Sequence, residues 1–245
     1  MVSTIKQTIL AASIALISFN AHATLTSYNA NGVDLVYSSV SDVTWTKDAN
    51  LIYSMIVDQG FDNLVNNIIA ANQTSTYTLS AADFEFNAIS RYGQISWFGA
   101  IAFGNYLNSI SYGGSNDWRL PTVANTNGGW NSTTNGVVAG DEMSELFYQE
   151  LNGVAFQTLP DTTTFDNEQF DVYWSGTESS ANSNEAWFFF TSDGNQQTLS
   201  KTNYRMYAWF VSPGQITTVP EPENLAMLLA GLGLLGVAVH RKKRA

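Results

Sequence analysis

The sequence predicts an α+β domain, a single compact unit in which two or three helices pack on an antiparallel sheet. Segments with the residue content of strands lie near the start of the chain and in its last third, and segments with helical spacing lie between them. The sequence shows no internal repeat. About 195 residues separate two apolar ends, which is enough for one domain with a substantial core.

Residues 34–46 open the predicted sheet. They alternate loosely and are rich in valine, tyrosine, threonine and tryptophan, which predicts one or two strands. An amphipathic helix is predicted over 61–71, because its apolar residues recur at helical spacing. These residues are Phe61, Leu64, Val65, Ile68 and Ile69. The polar, threonine-rich residues 73–82 predict a surface loop.

A second helix is predicted over about 96–110, with a break at the Gly113-Gly114 pair. Residues 125–140 are rich in asparagine, threonine and glycine, and they predict a long loop that carries Trp130. Asp141 then precedes a short predicted helix over 142–151. Its carboxylate can accept the free N–H groups at the start of that helix.

The last third of the chain completes the predicted sheet. Its strand-like segments are 171–175, 185–191 and 206–211. Turn residues at 192–195 follow the second segment, so a reversal of the chain is expected there.

The first 23 residues have the three parts of a secretory signal peptide. Lys6 supplies the positive charge, residues 9–19 form a mostly apolar run, and Ala21 and Ala23 are the small residues of a cleavage site. We expect cleavage after Ala23, with a domain over 24–218 as the body of the exported protein.

The tail, 219–245, contains a short motif, an apolar stretch and a basic cluster. The motif is Val219-Pro220-Glu221-Pro222, the stretch is 225–239, and the cluster is Arg241, Lys242, Lys243 and Arg244. This stretch is slightly shorter than the roughly 17–25 residues of a free-standing membrane helix. A basic cluster belongs on the cytoplasmic side, so the body would lie outside the cytoplasm.

In this order the tail resembles the PEP-CTERM sorting signal. The resemblance implies export in a Gram-negative bacterium, with an exosortase and the export machinery as partners. It also implies transient anchoring in the inner membrane, followed by release or display at the cell surface beside extracellular polysaccharide. Such a tail determines the localisation of a protein and indicates no activity.

The composition of the body excludes several classes of function. Residues 24–218 contain five basic and nineteen acidic residues, a formal charge of −14, which repels nucleic acid. The chain has no cysteine, and its two histidines, His22 and His240, lie in the terminal segments. Catalysis by Ser-His-Asp or Cys-His sets and common zinc sites are therefore excluded, which leaves carboxylate chemistry or oxygen-bound calcium.

Five clusters in the body resemble the Lcl C-terminal domain family. They are Asp42–Asn50, Asn116–Thr122, Ser144–Tyr148, Tyr173–Glu178 and Tyr207–Gly214. The resemblance implies a fold similar to C-type lectins and formylglycine-generating enzymes, and a role in surface attachment. The member that gives the family its name is an adhesin that binds sulfated glycans; the acidic body of this chain departs from that ligand class.

The Trp118-Arg119-Leu120-Pro121 element is the most specific part of this resemblance. We expect Trp118 and Leu120 to pack in the core while the Arg119 guanidinium forks onto a carboxylate. Glu178, which follows Trp174 by four residues, is a reasonable partner. The alternative for this element is a binding edge.

Trp130 is the candidate ligand-binding residue, because its neighbours mark an exposed loop whereas the other tryptophans of the body lie in predicted strands or beside helices. A loop with Asp161, Asp166, Glu168 and Asp171 could hold calcium, although it lacks EF-hand spacing and a solvated acidic loop is the alternative. No other cofactor is expected.

The sequence therefore predicts a non-enzymatic exported surface or secreted protein that acts in adhesion or in the extracellular matrix. One alternative is a lectin-like module that binds carbohydrate through Trp130. A more remote alternative is a glycoside hydrolase with a carboxylate pair such as Glu145 and Glu178.

Overall fold

The structure is a computed structural model, and it describes most of the predicted body. The described residues are 24–72, 77–84, 93–124, 129–130, 140–160 and 162–217. The predicted signal peptide and sorting tail, with the apolar stretch 225–239, lie outside them. Within the described ranges, no helix combines the length and the apolar character that a membrane span requires.

The described residues form two antiparallel four-stranded sheets, so the predicted α+β class is confirmed. The first sheet has the order β1-β2-β3-β8 and the second the order β4-β7-β6-β5. Strands of the first sheet are β1 (Leu25–Ala30), β2 (Val33–Ser38), β3 (Val43–Thr46) and β8 (Val211–Pro213). Strands of the second sheet are β4 (Gly129–Trp130), β5 (Val172–Glu178), β6 (Glu185–Phe190) and β7 (Asn195–Ser200).

Residues 206–210 join the two sheets. The amide of Thr46 in β3 donates to Phe210 O at 3.0 Å, and the amide of Trp174 in β5 donates to Tyr207 O at 3.0 Å. The strand predicted over 206–211 was therefore only partly right, because regular pairing begins at Val211 while the preceding residues bridge two strands of different sheets.

Three helices cover one side of the two joined sheets. They are α1 (Leu51–Gln59), α2 (Phe61–Ala71) and α3 (Trp97–Ser109). The helices predicted over 61–71 and 96–110 are confirmed, and Ser96 caps α3 by accepting a bond from the Gly99 amide at 3.0 Å. A short fourth helix, α4 (Glu142–Glu145), continues as one π-helical turn, Leu146–Glu150.

Two hydrophobic cores lie on opposite sides of the central layer. In the joining segment, Met206, Ala208 and Phe210 belong to one core and Tyr207 and Trp209 to the other, as the period of two in extended chain requires. The first core contains the apolar faces of α1, α2 and α3. The second contains the π-helical turn and an aromatic group, Trp45, Phe165, Tyr173 and Trp209.

Candidate functional site

The Trp118–Thr122 segment is a hub that joins four elements. Backbone amides and carbonyls of Arg119 and Val211 exchange two hydrogen bonds of 2.9 Å, which attaches the segment to β8. The Gly176 amide of β5 donates to Pro121 O at 2.8 Å. The Trp118 indole donates to Tyr112 O at 2.8 Å, next to the end of α3.

The side chain of Arg119 attaches the Trp118–Thr122 segment to α4. Its two terminal nitrogens donate to Glu142 Oε2 at 2.8 Å and Oε1 at 2.7 Å, a bidentate pair. The amide of Thr122 adds a third donor to Oε2 at 2.8 Å. The side chains of Arg119 and Glu142 are 35% and 6% exposed, so the carboxylate is buried and the guanidinium closes it off from solvent.

The prediction that Glu178 pairs with Arg119 is wrong. It lies at the end of β5, where its Oε2 is 3.1 Å from Lys201 Nζ. That ammonium group also lies 4.6 Å from the Trp97 ring centroid and donates to Ser183 O at 2.6 Å. Glu178 therefore belongs to a separate cluster around a buried lysine.

Asp141 does not cap α4 as predicted. No side-chain capping bond forms there, and its carboxylate instead accepts from the Gln196 amide group at 2.9 Å, across to β7. Asp141 is fully buried, so the bond to Gln196 ties the start of α4 to the second sheet. The predicted helix over 142–151 is otherwise correct in extent, with π-helical geometry in its second half.

Two more carboxyl groups of this helix face the turn between β2 and β3. Glu145 accepts from the Gly140 amide at 3.0 Å, and burial raises its pKa. Burial also raises the pKa of Glu150 to about 7, with a smaller contribution from the charge of Glu145. The Ser38 hydroxyl and the Val40 amide oppose that rise.

The raised pKa of Glu150 predicts that stability falls as the pH rises. The folded state holds a proton on Glu150 up to about pH 7, whereas the unfolded chain releases it near the ordinary value of 4.5. The contribution of Glu150 to stability is therefore fully present below about pH 4.5 and is lost as the pH rises to about 7. Allowing for solvent screening, we expect Glu150→Gln to be more stable than the wild type by about 1–2 kcal/mol at pH 8.

Urea denaturation at pH 4.5 and at pH 8 checks this expectation. The two proteins should have similar unfolding free energies at pH 4.5 and should diverge at pH 8. Gln149→Ala, which replaces an exposed residue beside Glu150 that does not titrate, is the control and should show no such divergence. An equal difference between Glu150→Gln and wild type at both pH values would contradict the assignment.

The carboxylates of the acidic loop considered for calcium each contact a different partner. Asp166 lies 3.1 Å from Lys47 Nζ, Glu168 accepts from the Thr162 hydroxyl at 3.2 Å, and Asp171 accepts from the Gln94 amide group at 3.3 Å. Asp161 lies outside the described residues. Among the residues that the structure describes, no three acidic or histidine side chains are grouped as metal ligands.

Glu145 and Glu178, the carboxylates considered for glycoside hydrolysis, have unrelated surroundings. Glu145 is buried in α4 beside Gly140, whereas Glu178 is an exposed residue that pairs with Lys201. A hydrolytic pair requires two carboxyl groups that flank one bond. The described contacts do not bring these two together.

The tryptophans that were predicted to lie in strands or beside helices are in the core. Six of them are buried: Trp45, Trp97, Trp118, Trp174, Trp187 and Trp209. Trp130 lies in β4, where it pairs with Asn195 of β7, so the predicted loop over 125–140 contains a short strand. This pairing places the Trp130 backbone beside the turn that connects β6 and β7, residues 191–194.

A shallow cleft of about 280 Å³, which the sequence analysis did not predict, lies at the edge of the first sheet. Its lining residues are Ser27, Tyr28, Asn29, Asp34 and Lys47. Their polar groups are largely used within the fold, since Asn29 donates to Asp34 at 2.8 Å and Lys47 pairs with Asp166. The cleft therefore offers few polar groups to a ligand.

Comparison with known families gave two matches. The model described as Lcl C-terminal domain matches residues 34–212, and the model described as PEP-CTERM protein-sorting motif matches residues 218–242. The two matches cover adjoining parts of the chain. Searches of curated proteins and of solved structures found no match.

Proposed function

Since the chain belongs to the Lcl C-terminal domain family and carries a PEP-CTERM sorting motif behind that domain, we propose that it is an exported protein that acts in adhesion or in the extracellular matrix. The observation that carries the proposal is the position of the sorting motif, which begins six residues after the matched domain ends. The motif marks the chain for export, and the domain is the cargo.

The export route that we propose uses both terminal segments. A signal peptide over 1–23 starts translocation, and the apolar stretch 225–239 holds the chain in the inner membrane with its basic cluster inside. An exosortase then acts on the tail and releases or displays the domain. The charge of −14 on residues 24–218 supports a role outside the cell, because it keeps the domain soluble and away from anionic polymers.

The proposed role requires no enzymatic activity. The body has neither histidine nor cysteine, and its Arg119–Glu142 pair is used to join β8, β5 and α4. We further propose that the fold is related to C-type lectins and formylglycine-generating enzymes. Two antiparallel sheets, a helical side and a hub at Trp118–Thr122 are compatible with that relation.

A second candidate function is carbohydrate recognition through Trp130. The pairing of Trp130 with Asn195 favours it, because the strand fixes this residue beside the β6–β7 turn. Aromatic residues with rigid backbones lose little conformational entropy when a ligand binds. An uncharged sugar polymer suits the acidic surface better than a sulfated one.

Deletion of 219–245 tests the proposed sorting. We expect the full chain to be processed and to reach the cell surface or the medium, whereas the truncated chain should accumulate in the periplasm. Fractionation of exosortase-bearing cells followed by immunoblotting measures both. A matched control replaces only Val219, Pro220, Glu221 and Pro222 with alanine and leaves the apolar stretch unchanged. Identical fractionation of full-length and truncated chains would refute the sorting role.

A further inference from the structure

Residues 214–217, the last described part of the chain, form a strap that crosses the first sheet from β8 toward β1. The match to the sorting motif starts at residue 218, directly after Thr217. We propose that the strap holds the start of the sorting motif against the folded domain, and that release of the strap limits the rate at which an exosortase processes the tail. This inference rests on the proposed sorting function and adds to it a regulatory element within the domain.

A series of hydrogen bonds that begins and ends on the strap fixes it to the sheet. The Ile216 amide donates to Tyr28 Oη of β1 at 3.1 Å. The Thr44 hydroxyl of β3 donates to Gly214 O at 2.7 Å, and the Tyr28 and Thr44 hydroxyl oxygens lie 2.8 Å apart. Because Thr44 already donates its one hydroxyl hydrogen to Gly214, the Tyr28 hydroxyl donates to Thr44, and all three bonds run in one direction. Hydrogen bonds in such a series polarise and strengthen one another.

Two further contacts hold the strap on the domain. At its start, the Gly214 amide donates to Asp42 O, between β2 and β3, at 2.8 Å. Near its end, the Ile216 side chain packs against the first core. Thr44 is fully buried, so the middle of the bond series is shielded from water. Release of the strap breaks these bonds and exposes apolar surface, so the closed form is favoured.

Only a short length of chain connects the strap to the proposed membrane segment. Seven residues, 218–224, separate Thr217 from the apolar stretch 225–239. Fully extended, they reach at most about 25–30 Å, which is less than the width of roughly 40 Å expected for a globular domain of this length. While the tail is anchored as proposed, the domain therefore stays next to the membrane. An exosortase must then reach a motif that starts one residue after a fixed segment.

Release of the strap makes the motif more accessible. An enzyme that cleaves a peptide bond must surround the chain on both sides of that bond, so segments held on a folded surface are poor substrates until they open locally. The four strap residues supply about 14 Å of additional chain when they are released. Where opening is fast relative to cleavage, the processing rate follows the population of the open form. A contact that stabilises the closed strap therefore slows processing.

The variant Tyr28→Phe tests the strap, because it removes the hydroxyl in the middle of the bond series and keeps the aromatic ring. We expect exosortase-bearing cells to process this variant about fivefold faster than the wild type, the factor that corresponds to one hydrogen bond. Pulse labelling followed by immunoprecipitation measures the rate. In the full-length chain, purified in mild detergent, the Gly214 amide should exchange its hydrogen about fivefold faster, as read by NMR. That amide keeps Asp42 O as its acceptor, so its faster exchange shows that the strap opens as a unit.

Two control variants separate the strap from general stability and from reach. Tyr148→Phe also removes a tyrosine hydroxyl and one hydrogen bond, the 2.9 Å bond to Gly194 O, and it should change neither the processing rate nor the exchange of the Gly214 amide. Insertion of Ser-Gly-Ser-Gly after Thr217 supplies additional reach while the strap stays closed. It should speed processing at least as much as Tyr28→Phe and leave the exchange unchanged. In the inserted chain, Tyr28→Phe should add nothing.

Each other outcome overturns a defined part of the inference. Faster exchange of the Gly214 amide with an unchanged processing rate would show that the strap does not limit processing. Slower processing of Tyr28→Phe would mean that the strap presents the motif and does not withhold it. Unchanged exchange in Tyr28→Phe would show that the bond series does not hold the strap. A wild-type tail that is never processed would contradict the proposed sorting function itself, and the exchange result would still decide whether the strap opens as a unit.

Discussion

Replacing Arg119 with alanine should lower the unfolding free energy by about 3 kcal/mol, because it leaves the buried Glu142 carboxylate without its cation. Among the contacts of the described residues, the Thr122 amide would be the donor left to that carboxylate. The cost lies toward the lower end of the usual range for breaking a buried pair, since Arg119 itself is 35% exposed. Urea denaturation followed by tryptophan fluorescence measures it at pH 7.

Two companion variants show that the ion pair causes the loss. Arg119→Lys keeps the charge but not the two parallel bonds, so it should lose about 1–2 kcal/mol. The double variant Arg119→Met with Glu142→Gln removes the uncompensated charge and should be more stable than Arg119→Ala. An additive double variant would show that the two side chains do not interact.

The sequence predicted what Arg119 does but not its partner. A planar group with five donors in a buried segment favours a carboxylate partner, which can accept two parallel bonds and balance the charge. Glu142 and Glu178 are both acidic residues within the family clusters or directly beside them. Which of them meets Arg119 depends on how α4 approaches β5, a long-range contact that no local pattern encodes.

Elements with strong local patterns were predicted well. The helix over 61–71 matches α2 residue for residue, because its apolar stripe has helical period and packs on α3. The helix α1 was missed: it has nine residues, no side-chain cap, and only Leu51, Ile52 and Ile56 buried. It ends at Gly60, whose φ of 84° lets the chain turn directly into α2.

The strands β1 and β7 were missed for different reasons. An Asn31-Gly32 pair, with φ of 51° and 81°, forms the hairpin turn between β1 and β2, and this dipeptide was a usable signal. The sequence of β7, Asn-Gln-Gln-Thr-Leu-Ser, has no strand-like composition. It becomes a strand because β6 pairs with it from Glu185 to Phe189, so tertiary context overrides propensity.

The surroundings of the candidate site also depend on tertiary contacts that local sequence patterns do not predict. Trp130 was singled out by its polar neighbours, but its pairing with β7 was not foreseen. Only the fold reveals that residues 153–159 return to the β6–β7 turn, where the Phe156 amide donates to Asp193 O and the Leu159 amide donates to Thr191 O.

Replacing Trp209 with alanine should have the largest effect of all, a loss of about 4–5 kcal/mol of unfolding free energy. The ring is fully buried and makes edge contacts to Trp45 and Phe165, with ring centroids 5.1 Å and 4.7 Å away. Its indole also donates to Thr46 O at 2.8 Å. The alanine variant would therefore leave a cavity in the second core and an unsatisfied carbonyl in β3.

The comparison of Trp209→Phe with Tyr204→Ala shows why position matters more than aromatic character. Phenylalanine keeps most of the packing but not the bond to Thr46, so it should lose about 1–2 kcal/mol. Tyr204 lies five residues earlier and is 47% exposed, so its alanine variant should stay within about 0.5 kcal/mol of the wild type. Because residues 206–210 connect the two sheets, Trp209→Ala should also reduce the cooperativity of unfolding, seen as a smaller dependence on urea. A stable, cooperative Trp209→Ala protein would mean that the second core does not hold the two sheets together.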